Sequence, residues 1–196
     1  MEQERFIIGI TGGSGCGKTT LLQCIGEKGG LVLDCDQIYH RLLQTDENLL
    51  FSIENRFPGV VENGALQRKK LGTIVFADEK ALSDLNRLTH TAVKAEVRRQ
   101  LENAPRLVAI DAIGLFEGGL ATLCDVTVAV TAPREDRIRR LMARDGISEE
   151  YARKRIDAQR SDEEFSTLCR YTLENHGDIG AFRTKCLAFL TELDII

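Results

Sequence analysis

Residues 12–19 read Gly12-Gly13-Ser14-Gly15-Cys16-Gly17-Lys18-Thr19 and meet every fixed position of the pattern G-x-x-x-x-G-K-[ST]. The chemistry open to such a run is the holding of a polyphosphate. Glycines let the backbone turn until successive N–H groups point inward at an anion, and a helix starting straight afterwards adds its positive end. Lys18 supplies a charge, Thr19 a hydroxyl for Mg²⁺, and Thr20 follows in the same first turn. ATP or GTP is the ligand class this pattern implies. Cys16 reads either as a small filler beside the anion or as a thiol open to oxidation.

Two further groups bear on phosphate chemistry. Leu33-Asp34-Cys35-Asp36 closes an apolar run, and in an open parallel sheet the carboxyl ends of the strands face the ligand crevice. A carboxylate there can orient a hydroxyl nucleophile or accept its proton, the role read for Asp36. Helix capping or a surface turn is the other reading of Asp34 and Asp36. Arg137, Arg140 and Arg144 fall at i, i+3 and i+7, so one helical face presents three guanidinium groups, with Arg134 and Arg139 beside them. Such a face either closes over a triphosphate, its planar forks matching phosphate oxygens, or is an ordinary solvated face.

These residues need a scaffold. Five short apolar runs, at 5–11, 30–36, 106–113, 125–132 and 171–175, alternate with helical patterns. Near-continuous rather than period-two apolar character predicts buried strands of a five-stranded parallel sheet with helices on both faces, an α/β fold. The spacing predicts a helix over 19–28, stopped at Gly29-Gly30. About 70 residues separate the second and third strands, far more than a crossover needs. There Ala81, Leu82, Leu85, Leu88, Ala92, Val97 and Leu101 predict one or two amphipathic helices over 80–103, with Gly59, Asn63 and Gly64 marking turns.

A chain of 196 residues at 43% hydrophobic buries one sizeable core with a small insertion, so one domain is expected. The formal charge of −4 argues against a nucleic-acid binder. Residues 133–160 run the other way, with nine Arg or Lys against six Asp or Glu, a net of +3 that leaves −7 for the remainder. Runs such as 6–10 and 107–110 fall far short of the roughly 20 residues that cross a bilayer. Residues 1–5 show neither a cationic leader nor a cleavage site, which predicts a cytoplasmic protein. Six scattered cysteines and three histidines offer no zinc spacing and read as free thiols. A guanine-reading Asn-Lys-x-Asp is absent, which turns the reading from nucleotide switches towards kinases of small metabolites.

Taken together, these residues resemble the dephospho-coenzyme A kinase family over essentially the whole chain. Residues 10–20 are similar to its Leu-Thr-Gly-Gly-Ile-Gly-Ser-Gly-Lys-Ser-Thr, and Asp34-Cys35-Asp36 to its Asp-Ala-Asp. Asn63-Gly64-Ala65-Leu66-Gln67-Arg68 resembles its Asp-Gly-x-Ile-Asp-Arg, and Leu85-Asn86-Arg87-Leu88-Thr89-His90 its Leu-Asn-x-Ile-x-His. Residues 111–117, 140–146, 155–159 and 174–177 extend the likeness to the last strand. The resemblance implies transfer of a phosphoryl group from ATP, with Mg²⁺, to the ribose 3′-hydroxyl of dephospho-coenzyme A. It implies Asp36, Lys18 and Arg140 as catalytic groups, residues 12–20 with Arg144 at the ATP phosphates, and Thr19 and Asp111 at the metal. Residues 37–105 would form a helical acceptor subdomain in which Asp36, Arg68 and His90 meet the acceptor, and 133–160 a basic lid. His90 reads equally as a packed or capping histidine, and Asp111 as a structural residue at a buried edge. Small-molecule substrates are the implied partners, with neither nucleic acid nor membrane, for a monomer or weak homo-oligomer.

Two alternatives share the ATP half: a kinase of another small acceptor, and a non-catalytic nucleotide-binding paralogue. Two departures fall on the acceptor side. Ile113-Gly114-Leu115 stands where the family has Pro-Leu-Leu, and Thr91 rather than proline follows His90, which frees the backbone at both places.

Overall fold

A computed structural model describes residues 5–195. The chain runs β1 (Phe6–Thr11), α1 (Lys18–Glu27), β2 (Leu31–Asp34), α2 (Cys35–Thr45), α3 (Glu47–Arg56), β3 (Val61–Glu62), β4 (Ala65–Leu66), α4 (Arg68–Val75) and α5 (Glu79–Leu101). It continues through β5 (Leu107–Asp111), a 3-10 turn at Leu120–Leu123, β6 (Val126–Thr131), α6 (Arg134–Asp145), α7 (Glu149–Asp157), α8 (Asp162–Leu168), β7 (Tyr171–Glu174) and α9 (Ile179–Glu192). The reading of residues 1–4 as lacking a leader lies outside the described residues. No helix among those described is long and apolar enough to cross a membrane.

Two compact units emerge. One gathers the chain up to Leu33, Ala104–Leu115 and the residues from Leu120 onward; the other comprises Asp34–Asn103 and Phe116–Gly119. In the first, the five apolar runs form a parallel sheet in the order β2-β5-β1-β6-β7. Central β1 pairs with β5 from Phe6↔Leu107 to Ile10↔Asp111 and with β6 from Ile8↔Val126 to Thr11↔Ala129. Alternation then sorts its side chains. Ile8 and Ile10 turn to a core shared with Leu21 and Ile25 of α1 and with Phe182, Phe189 and Leu190 of α9.

The second unit is built around α5, which packs on α2, α3 and α4. It is one unbroken helix of 23 residues, begun by Asp78, whose carboxylate accepts from the amides of Lys80 and Ala81. Its buried line is Ala81, Leu85, Thr89, Val93, Val97 and Leu101, a strict i+4 ladder. Leu82, Leu88 and Ala92, expected on that stripe, are half-buried at its flanks. Thr89 enters the line because its hydroxyl returns to the Leu85 carbonyl at 3.0 Å, which removes the cost of burying it. Asn63 and Gly64, both at positive φ, make the two-residue turn of the β3–β4 hairpin.

One strand end differs from expectation. The run at 30–36 stops at Asp34, because its carboxylate accepts from the Gln37 amide at 2.9 Å and starts α2 at Cys35. Asp36 therefore sits in the first turn of a helix.

Burial predicts where the fold is sensitive. Ile10→Ala, at a position with no exposure, loses about 2–5 kcal/mol of unfolding free energy in urea. Phe76→Ser, at a side chain 83% exposed, changes it by less than about 0.5 kcal/mol.

Candidate active site

A loop whose amides face an anion must turn its carbonyls away, and each of those needs a donor. Here all six from Gly12 to Gly17 have one. Lys18 Nζ donates to the Gly12 carbonyl at 2.8 Å, and the Cys16 amide to Gly13 at 3.3 Å. Arg137 Nε donates to Ser14 at 3.0 Å, and Arg140 Nη1 to Gly15 at 3.2 Å and to Cys16 at 3.4 Å. Asn175 Nδ2 reaches the Cys16 carbonyl at 2.8 Å, and the Thr20 amide closes on Gly17 at 3.1 Å. Donors from α6 and from the end of β7 thus converge on the loop between β1 and α1.

The start of α1 is bare. Its cap residue Gly17 has φ +104° and offers no side chain, and the first turn carries no acid. By contrast α2, α3, α5 and α9 each begin with an aspartate that accepts from a first-turn amide, and α6, which follows Pro133 without a side-chain cap, carries Glu135 and Asp136 in its first turn. At α1 the Lys18 and Thr19 amides, with no side-chain cap, keep the positive end of the helix dipole for a ligand. A Cβ at Gly17 would stand 2.3 Å from Asn175 Nδ2, so the left-handed turn and the asparagine together require glycine there.

Cys16 is 1% exposed and packs in the core with Ile8 and Ile10. Burial pushes its thiol up from the ordinary value, against the pull of the nearby Lys18 charge. Burial and low thiolate character favour the reading of Cys16 as a packed filler.

Residues 133–160 resolve into two kinds of cation. Arg139 pairs with Asp136, Arg134 with Asp157, Arg153 with Glu135 and Glu149, and Lys154 with Glu150. Arg144 turns to Asp145, at 2.6 Å and 3.0 Å, and Arg155 reaches the same carboxylate at 2.7 Å. Those two arginines hold the Asp145 carboxyl down to about 2, Arg144 first. Arg137 and Arg140 instead leave the segment for the loop. The face of three guanidinium groups read from spacing is thus corrected: Arg137 is buried and committed to the protein, Arg140 is half-buried at the loop, and Arg144 is exposed.

Asp111 is the half-buried last residue of β5, opposite Ile10 in register, and Thr19 is exposed in the first turn of α1. The second unit holds Asp36, Arg68 and His90. Asp36 is exposed beside the capping Asp34. Arg68 is exposed at the start of α4, and its charge partly offsets the burial that pushes the Tyr39 phenol up. His90 lines an open groove of about 730 Å³ along α5, with Arg87, Lys94, Arg98, Leu82 and Ala95. Glu79 and Glu117 line it too.

A parallel sheet with a glycine loop on a bare helix start, overhung by a guanidinium, defines the class of P-loop kinases. The sequence pattern of the dephospho-CoA kinase family matches residues 6–180. The dephospho-CoA kinase of Syntrophotalea carbinolica is 34% identical over 194 residues, covering 96% of this chain and 92% of its own. Among solved structures, TT1252 from Thermus thermophilus superposes with a TM-score of 0.80 at 34% identity, over 97% of this chain and 98% of that one. The dephospho-CoA kinase from Campylobacter jejuni does so with 0.66 at 26% identity, over 95% and 96%. The chain belongs to the dephospho-CoA kinase family.

Two loop partners, Gln159 and Asn175, escaped the sequence reading as site residues, and so did Asp162, which pairs with Arg137. Gln159 and Asn175 stand within segments that resemble the family, but only the fold shows what they hold.

The neighbouring acids separate by experiment. Asp34→Ala removes the cap and lowers stability by about 1 kcal/mol. Asp36→Asn, exposed, leaves urea unfolding unchanged within about 0.5 kcal/mol.

Proposed function

We propose that the chain transfers the terminal phosphoryl group of ATP to the ribose 3′-hydroxyl of dephospho-coenzyme A, using the residues just described. The observation that carries this reading is the loop at 12–19, with its carbonyls held outward and its bare helix end left for a triphosphate, in a member of this kinase family. Gly12 to Thr20 cradle the phosphates. Lys18, with two ammonium protons beyond the one given to Gly12, follows the outer phosphates. Arg140 keeps Nε and Nη2 donors for the charge that moves onto the leaving oxygens, and Arg144 reaches the phosphates from about one turn further along α6.

Asp36 hydrogen-bonds the acceptor hydroxyl, aims it at the γ-phosphorus and takes its proton as the new O–P bond forms. The bond to the β–γ bridging oxygen breaks, and ADP leaves with the electron pair. Mg²⁺ fits the donors present. Thr19 offers a hydroxyl and Asp111 a carboxylate at the end of β5, in register with Ile10, hard oxygens of the kind this ion takes in ones and twos alongside phosphates. Among the described residues no group of three His, Cys, Asp or Glu could hold an ion, which suits a metal arriving with its nucleotide. When bound, it neutralises phosphate charge.

Acceptor binding falls to the second unit. The groove on α5 offers Arg87, His90, Lys94 and Arg98 to the pyrophosphate, and Leu82 and Ala95 to the uncharged arm, with Arg68 as a further contact. We place the enzyme in the cytoplasm as a monomer or weak homo-oligomer that handles small molecules. Its dependence on ATP and its six free cysteines support that compartment.

With ATP, Mg²⁺ and a panel of alcohols, 3′-phosphorylation of dephospho-coenzyme A dominates; a nucleoside as the best acceptor would sink the assignment. Asp36→Asn lowers kcat by about 10²–10⁴-fold with ATP affinity retained, and turnover at the parent rate would remove the base from Asp36. Arg98→Ala raises KM for the acceptor by about tenfold, the value of one charge-assisted contact, and leaves KM for ATP unmoved. An unchanged acceptor KM would put the pyrophosphate elsewhere.

A further inference from the structure

Beneath the loop lies a guanidinium that the transfer step does not use. Arg137 is 4% exposed, and besides the Ser14 carbonyl it donates from Nη1 to Asp162 at 2.9 Å and from Nη2 to Gln159 Oε1 at 3.4 Å. Gln159 then grips Ser14 twice. Its Oε1 accepts from the Ser14 amide at 2.8 Å, and its Nε2 donates to the Ser14 hydroxyl at 2.8 Å. A Cβ built at Gly13 would stand 2.0 Å from Arg137 Nη2, so this side chain occupies the space that glycine leaves open on that side of the loop.

This arrangement decides which amides a ligand can meet. The Ser14 N–H is consumed by Gln159 and the Cys16 N–H by Gly13, so the phosphates are left to the other amides of the loop and helix start. An apolar side chain would fill the volume under the loop without the cost of burying a charge. It could not hold the Ser14 carbonyl away from a polyanion, nor fix the side chain of Gln159. Hydroxyl-bearing Ser14 is also where the resembling family pattern carries isoleucine, which keeps the amide for Gln159 Oε1 but has no hydroxyl to accept from Nε2.

We infer that Arg137, with Gln159 and Asp162, is a positioning residue for the reaction: it sets the curvature of Gly13-Ser14-Gly15 so that the loop receives the β-phosphate, and touches no substrate itself. The inference rests on the reading of the loop as the ATP-phosphate site. It ties α6 and the start of α8 to the nucleotide through the protein, independently of any contact Arg140 makes.

Nucleotides that differ by the β-phosphate provide the test. ADP and AMP are titrated calorimetrically into the parent protein and into Arg137→Gln and Gln159→Ala, and KM is measured for both substrates. In either variant ADP affinity falls by about fivefold or more, the scale of a lost charge-assisted or buried hydrogen bond, while AMP affinity and acceptor KM move by less than about twofold. Gln159 is half-buried and less enclosed than Arg137, so its variant keeps the test open if Arg137→Gln does not fold. Unchanged ADP affinity overturns the inference. Parallel loss of ADP, AMP and acceptor binding also overturns it, since that is what a purely structural role produces. A parent protein that binds neither nucleotide overturns the reading of the loop, and this inference with it.

Discussion

Backbone polarity is the constraint on which this molecule turns. Amides and carbonyls alternate along a chain, so a loop that offers N–H groups to a polyanion is left with a row of oxygens facing the protein. Left unpaired they would cost about 1–3 kcal/mol each. Two are met by the loop and helix themselves, at Gly13 and Gly17; the rest need side chains, and these are Lys18, Arg137, Arg140 and Asn175. The strand order explains how such partners can be at hand. With β6 hydrogen-bonded to β1 and β7 to β6, the segments that leave those two strands carry α6 and Asn175 beside the loop.

Magnitudes sort the cations of residues 133–160. Exposed pairs such as Lys154–Glu150 contribute about 0–1 kcal/mol each and are screened by salt, so they trim local helix stability and little more. Arg137 and Asp162 are different, with side chains 4% and 29% exposed. Removing one partner of a buried pair costs up to about 3–5 kcal/mol, because the remaining charge stays desolvated. The local excess of +3 therefore does not act as one field over the nucleotide. Most of it is spent within the segment, and the part that reaches the loop does so through two specific side chains.

What could be read beforehand follows the same physics. Five strands were legible because strands covered on both faces are apolar throughout, and the loop because its glycines and lysine have few other uses. The end of β2 was misplaced by two residues, since an apolar run stops the same way whether the acid after it continues the strand or caps a helix; the Gln37 amide settles it. Along α5, apolar residues alone pointed to Leu82, Leu88 and Ala92, whereas the buried ladder admits a threonine that satisfies its own hydroxyl. Arg137 was the hardest case. Helical spacing gives the face a side chain shares, never its partner, and that partner lies 123 residues earlier in the chain.

The departures from the family pattern can be weighed in the same way. A proline after His90 would delete one amide from the middle of α5 and press on the preceding turn. Thr91 leaves the helix continuous, and its hydroxyl returns to the Arg87 carbonyl at 2.8 Å. Continuity keeps Arg87, Lys94 and Arg98 in register at i, i+7 and i+11, on one face of the helix, with His90 between Arg87 and Lys94. Gly119, at φ +65°, lets the loop after β5 come in beside Lys94, where an added Cβ would stand 3.1 Å from its ammonium nitrogen. The groove thus takes its cations from helix periodicity and one wall from a glycine turn. Losing a proline there preserves the spacing of charges on which recognition of a pyrophosphate would depend, rather than loosening it.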